Sequence, residues 1–332
     1  MREPLFWKFY YFVLSYIPVI FLRFYSTDDA DVRTFITTED KVMHIKADLF
    51  MPGNVLYTYG NSLKTTDYKT IQSIVGVPAE RGYKESTGDA VRFGFITGFH
   101  QHGKNKVIMI DNGNHCVRVV DRSTRKSTAF AGLWSTEGWR VGTKASFIRP
   151  TNVISDVMSP GQLLITDRNN KAIRHLNTTS RAVTTFVRVT WDRNFLPSGI
   201  TQHSKSGKIY VTTNRYVYEI DYQQKFPKAI AGGSSNAETD GPFRSARFNV
   251  IYDALLINEG NEIVLADYYN SVRLMDMRGE TVSSICKRGG HQDGYRKACT
   301  VDQPSAVAVI GTTLYIGEYQ RVRKIEGKQY CS

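Results

Sequence analysis

Seven histidines, four cysteines and a scatter of carboxylates are the residues of this 332-residue chain that could carry chemistry. Only His100 and His102 stand close together, as a His-x-His pair (FHQH). On a strand that spacing puts both rings on one face, where they could hold zinc. Two ligands fall short of the three or four that zinc takes, so a solvated turn between two strands of the second repeat unit is the better account. Asp156 and Asp253 lie in apolar segments that would line an interior, where a carboxylate could meet calcium, but each is a single residue. No G-x-S-x-G elbow, H-E-x-x-H helix, P-loop or D-x-D-x-D-G calcium loop occurs. No cofactor is expected, calcium or zinc would have no motif behind it, and a binding module is favoured over an enzyme.

Charge points to partners rather than to a reaction. The formal net charge is +12, and removing the first 27 residues leaves about +10, so the body of the chain is basic. Such a balance favours acidic partners. Lys and Arg form no run of five and no arginine-rich tail, which argues against nucleic acid.

The N-terminus carries a targeting signal. Residues 9–22 (FYYFVLSYIPVIFL) form an apolar run behind Arg2 and Lys8, the pattern of a secretory leader. No good small-x-small cleavage site follows, so residues 1–26 read either as a signal peptide or as a retained signal anchor that reaches the membrane through this apolar segment. Either way the rest of the chain would be extracellular or lumenal. The cysteines agree: Cys286 and Cys299 bracket one loop and are the first candidates for a disulfide, with the pairing of Cys116 and Cys331 left open. The sequon at Asn177 would be glycosylated only if the chain is exported.

The elements that must position these residues come from an internal repeat. Three segments share one plan: VIMIDNGNHCVRVV from Val107, LLITDRNNKAIRHL from Leu163 and IVLADYYNSVRLMD from Ile263. Each is a short apolar strand ending in Asp, a turn carrying Asn, and a strand carrying Val-Arg or Ile-Arg. Weaker copies begin at Val55, Ile209 and Leu314, with Tyr59, Thr213 and Glu318 in the Asp place. The six reference positions are 59, 111, 167, 213, 267 and 318. An apolar segment precedes each unit and a third β-rich strand follows, which makes four strands per unit, the anatomy of a propeller blade. The linkers repeat as well: Gly82, Gly138, Gly241 and Gly294 are each followed within two residues by an aromatic (Tyr83, Trp139, Phe243, Tyr295). The last unit lacks an outermost strand, and residues 32–38 (VRTFITT) read as the strand that supplies it and closes the ring.

The units Asp111-x-x-Asn114 with Arg118, Asp167-x-x-Asn170 with Arg174, and Asp267-x-x-Asn270 with Arg273 resemble the NHL repeat. That resemblance covers nearly all of the chain beyond the N-terminal segment and implies an all-β, six-bladed propeller over residues 32–326, with 327–332 as a tail. Units one and four depart from it, with Lys64 and Tyr218 in the Arg place. The repeated residues are expected to be scaffolding: the Asp accepting turn N–H groups, the Asn adopting the left-handed conformation, the Arg pairing with the Asp. The family and its relatives include protein- and RNA-binding modules, a metal- and histidine-dependent amidating lyase, and lactonases. Two functions follow as expectations. One is an exported or membrane-anchored scaffold for a protein, peptide or acidic glycan, binding on the face built from the linkers and the turns between second and third strands. Its candidate contacts are Arg81, Tyr83, Trp134, Arg140, Phe243, Arg244 and Arg296, since aromatic and Arg anchors dominate interfaces; Trp139 and Tyr295 are expected to pack between blades instead. The other is a metal-dependent lyase or lactonase-like hydrolase with its site in the central channel.

Overall fold

A computed structural model describes residues 31–38, 41–235, 237–269, 271–295 and 298–326. The leader or anchor, the tail with Cys331, and the side chains of Asn270, Tyr295 and Arg296 lie outside the described residues.

The chain forms six antiparallel sheets arranged as a six-bladed propeller, each built on four consecutive strands. The middle strands are buried on both faces: Glu262–Asp267 is buried throughout, and so is Val55–Tyr59. This is why they read as continuous apolar runs rather than as an alternating pattern. The core is divided among the spaces between blades. One cluster joins Leu56 and Leu63 of the first blade to Phe99 and Met109 of the second; another joins Leu164 and Ile173 of the third to Val211 and Tyr218 of the fourth. Each blade thus depends on its neighbours to bury its apolar faces.

The ring closes as expected. Asp31–Thr37 pairs antiparallel with Arg321–Glu326 and becomes the fourth strand of the last blade. The linker entering that blade grips the closing strand from outside. Gly294 and Tyr295 pair with Val32 and Asp31, and the Asp293 carboxylate accepts the backbone N–H of Thr34 at 3.1 Å. The same linker is braced by the expected disulfide between Cys286, on the outermost strand of the fifth blade, and Cys299.

The repeated polar residues do a job different in detail from the one the sequence suggests. Asp111, Asp167 and Asp267 are wholly buried at the ends of second strands. Their carboxylates bond the chain entering the blade rather than their own hairpin turn. Asp111 accepts from Gly94 N (2.9 Å), Asp167 from Ile148 N (2.8 Å) and Asp267 from Val250 N (3.1 Å). Asn114 and Asn170 stay right-handed, and the left-handed residue is the next one, His115 or Lys171. Each Asn side chain instead bridges its Asp to the linker glycine carbonyl, Gly82 O or Gly138 O. Arg118, Arg174, Arg273 and Arg323 are fully buried. Arg174 donates to Asp167 at 2.8 Å and to the Arg140 carbonyl at 2.6 Å, so one guanidinium ties strand to linker. Two blades replace the pair. In the first blade the Lys64 ammonium lies over the Tyr59 ring, 4.7 Å from its centroid, and in the fourth the Tyr218 hydroxyl donates to linker Asp192 at 2.6 Å.

Because the bridged linker holds the closing strand, the disulfide has a local consequence. Replacing Cys286 and Cys299 with Ala should cost about 3 kcal/mol of stability, the value for a loop of this order of length. Amide exchange should accelerate first at residues 32–37 and last in blades two to four. Exchange rising uniformly around the ring would show that the linker does not control closure.

Candidate functional site

The first strands of the blades surround a central channel, and a local irregularity decides which side chains enter it. In four blades the pairing between first and second strands slips after the first residue. The third residue of the strand stands at each slip: His44, Gly98, Asn152 and Asp253. Such bulges re-aim a side chain. Three of these residues, His44, Asn152 and Asp253, line both channel cavities and form the neck between them. Gly98 contributes room instead: a Cβ there would stand 2.9 Å from Thr151 O and 3.1 Å from Asn152 Oδ1.

The neck is charged and buried. Asp253 is 5% exposed, and its carboxylate accepts from Asn152 Nδ2 (3.1 Å), Ala254 N (3.0 Å) and Val307 N (3.2 Å), so it joins three blades. Burial nonetheless raises its pKa to about 6. His44 lies 4.0 Å from Asp253, packs edge-on against Phe99, and neither of its ring nitrogens has a hydrogen-bond partner. Burial, and then the charge of Lys46, hold protons off His44. Lys46, half-buried on the same strand, is lowered to about 8 by burial, against the opposing pull of Asp253.

The two mouths differ. The mouth on the side of the linkers and second-to-third-strand turns opens into a cavity of about 190 Å³ lined by Arg149, Arg168, Asn112 and Tyr252. Arg149 is exposed, while Arg168 is held by bonds to Leu196 O (2.9 Å) and Asn214 Oδ1 (2.5 Å). A groove of about 390 Å³ continues this face past Phe95 to Arg81, Lys41, Tyr268 and Tyr319. There the Lys41 ammonium lies 3.7 Å from the Tyr268 ring centroid and 4.5 Å from that of Tyr252. The opposite mouth, about 320 Å³, is mostly apolar, walled by Ala47, Ile154, Leu255 and Val309 beside the exposed Leu49, with Lys46 and Gln101 among them.

The candidate contacts expected from the sequence separate into different surroundings. Arg81 is exposed in the groove, its guanidinium 5.7 Å from the Phe95 ring centroid. Trp134 is exposed and meets Tyr83 in a tilted ring contact at 4.8 Å, while Tyr83 also lies beneath the buried Arg118 at 4.5 Å. Arg140 and Arg244 are exposed, Phe243 sits in the core with Ala246 and Phe248, and Trp139 is flanked by Arg174 and Arg188 at 4.1 Å each. Arg296 lies outside the described residues. Asn177 ends a third strand, its side chain accepting from Thr179 N and Ser180 N.

The metal candidates also separate. His100 and His102 belong to a first strand, Ile96–His102, not to a turn. His100 bonds Ser155 of the next blade at 2.9 Å, and burial lowers its pKa to about 3. Asp156 is saturated by His175, Tyr222 and Gln202 in a network joining blades three and four. Among the described residues no three His, Cys, Asp or Glu side chains come together as a metal site.

Sequence reasoning passed over His44, Lys46, Asn152, Arg149, Arg168 and Tyr252. Aligning the six units on their reference carboxylate and comparing the third residue of each first strand would have exposed the neck. The mouth arginines carry no such regularity.

No protein-family model matches the chain, and no curated protein matches it. Its fold is similar to solved structures. An auxiliary nutrient binding protein from Bacteroides thetaiotaomicron VPI-5482 is 13% identical over 91% of this chain and 77% of that one, with a TM-score of 0.70. One from Bacteroides ovatus ATCC 8483 is 14% identical over 90% and 77%, with a TM-score of 0.68. A gluconolactonase from Xanthomonas campestris is 9% identical over 90% of each, with a TM-score of 0.64. At these identities the likeness is one of fold. It carries the propeller and not membership of the NHL family.

Asp253 is the neck group whose charge the fold resists. Because its pKa is raised in the folded state, its contribution to stability is complete below about pH 4 and is lost as pH rises through about 6. Asp253→Asn removes that titration. The stability of the wild type minus that of the variant should therefore fall by on the order of 3 kcal/mol between pH 4 and pH 7.5 in urea unfolding. A difference that stays constant over this range would show that the buried carboxylate ionises without cost.

Proposed function

We propose that this chain is an exported or membrane-anchored propeller that binds an acidic partner, a peptide, protein or glycan, at the channel mouth and the adjoining groove. One observation carries the reading: Arg149, Arg168, Arg81 and Lys41 converge with Phe95, Tyr252 and Tyr268 on a single face. Cations beside flat rings suit anionic groups carried on ring or peptide planes. The net charge of +12 supports it, and so does the same fold in proteins described as nutrient binding. The apolar run at residues 9–22 and the Cys286–Cys299 bridge support export, since disulfides persist in oxidising compartments.

A hydrolase or lyase reading draws on the neck, where Asp253, with its pKa of about 6, stands in the range of a general base near neutral pH. Solved structures of a gluconolactonase and a streptogramin B lyase share the fold. With no metal-ligand cluster among the described residues, that reading rests on acid–base chemistry at Asp253 and His44.

Two measurements test the binding reading. Affinity for polygalacturonate should fall with rising salt, and Arg81→Glu with Arg149→Glu should weaken it tenfold or more. Equal retention of wild type and variant, or equal affinity for a neutral dextran, would sink it. Expressed with its N-terminus, the chain should carry an N-glycan at Asn177 that an amidase removes; an unmodified Asn177 in cells that glycosylate a control sequon would count against export.

A further inference from the structure

The channel neck sits directly inside the basic mouth, and its open hydrogen-bonding capacity is specific. His44 is 4% exposed and both of its ring nitrogens lack partners, although the ring lines the cavities on either side. A neutral imidazole offers one N–H donor and one lone pair. The Asp253 carboxylate beside it retains acceptor capacity beyond the bonds from Asn152, Ala254 and Val307. Leaving such groups unmet in a buried site costs free energy, so the neck is shaped for an occupant.

The chemistry narrows that occupant. A hydroxyl donates and accepts through one atom, so it can complete either imidazole nitrogen and also donate to the carboxylate. An aliphatic group would leave His44 unmet. A cation would be drawn to Asp253 but would face Lys46 on the far side of the neck and Arg149 and Arg168 at the mouth. The mouth cavity, at about 190 Å³, exceeds the roughly 30 Å³ share of a single water several-fold and admits a small organic molecule.

We infer that the neck is a subsite that reads the hydroxyl groups of a sugar acid whose carboxylate is held by Arg149 and Arg168 at the mouth. This rests on the mouth being the binding face, and it adds the ligand class and the residues that discriminate it. His44 and Asp253 supply specificity for hydroxyls, while the arginines supply affinity for the acid. The far mouth is mostly apolar, with Ile154, Leu255 and Val309, and offers an acid Lys46 where the basic mouth offers two arginines.

Calorimetric titration of the full chain with three probes tests it: glucuronate, cyclohexanecarboxylate, which has the same charge and ring size but no hydroxyls, and neutral methyl glucoside. Glucuronate should bind about tenfold or more tighter than cyclohexanecarboxylate. His44→Phe, which keeps a ring in the cavity, should erase that advantage. His44→Gln, which keeps a donor and an acceptor, should retain most of it and controls for misfolding. Arg149→Ala should weaken both acids alike. If the two acids bind equally in the wild type, depend on Arg149 and ignore His44, the neck inference falls while the mouth reading stands. If neither acid binds but polygalacturonate does, the inference again falls alone. If neither the acids nor polygalacturonate bind, both fall.

Discussion

The buried pairing of a strand-end carboxylate with an arginine one strand away holds this propeller together. In the third blade it is at its most complete: Asp167 takes the N–H of Ile148 and the side-chain amide of Asn170, while Arg174 reaches Asp167 and the Arg140 carbonyl. Both members are fully buried. Breaking such a pair on one side strands a charge in the core and costs several kcal/mol, which ties the two residues to each other. The pair stabilises something the apolar core cannot. Side chains between blades fix their spacing, but the long linkers have backbone groups that must be met on burial. The carboxylate meets the N–H groups where the chain enters a blade, and the guanidinium meets the carbonyls of the linker behind it.

Fixing the linkers in this way fixes the face that they build. Arg149 follows Ile148, whose N–H is bound by Asp167, and Phe95 follows Gly94, bound by Asp111. The groups lining the mouth are therefore held one residue from a clamp, and the clamp itself is out of solvent. A mouth assembled from loops gains the positional precision of the sheet beneath it. The same geometry separates the aromatics into two populations. Trp139 and Tyr83 are drawn onto the buried arginines, and Tyr252, Tyr268 and Tyr319 remain on the open face.

The sequence made the scaffold legible because the scaffold repeats. Asp111, Asp167 and Asp267 recur in phase, and the strand that closes the ring could be placed from the strand missing at the other end. The disulfide was legible because its cysteines bracket one linker. The channel was not. His44, Asn152 and Asp253 lie 108 and 101 residues apart in the chain and meet only because three blades turn the same strand position inward. Aromatic character also misled in part: the position that follows the linker glycine is met by arginine stacking or by core packing, as Phe243 shows, and residue type cannot tell these from a contact surface.

The neck is informative for the reason that makes the clamps uninformative. The clamp recurs in four blades because each must hold the linker that enters it. Asp253 ties three blades together through Asn152, Ala254 and Val307, but His44 makes no hydrogen bond that the propeller needs. The second blade places Gly98 at the equivalent position, and the last blade enters the channel with no slip in its pairing. An apolar residue at position 44 would spare the fold two unmet nitrogens. A fold that carries such costs at one place, where a simpler residue would pack, retains them against a gain made elsewhere. At a neck open to a basic mouth on one side, the proposed recognition of a ligand in the channel would supply that gain.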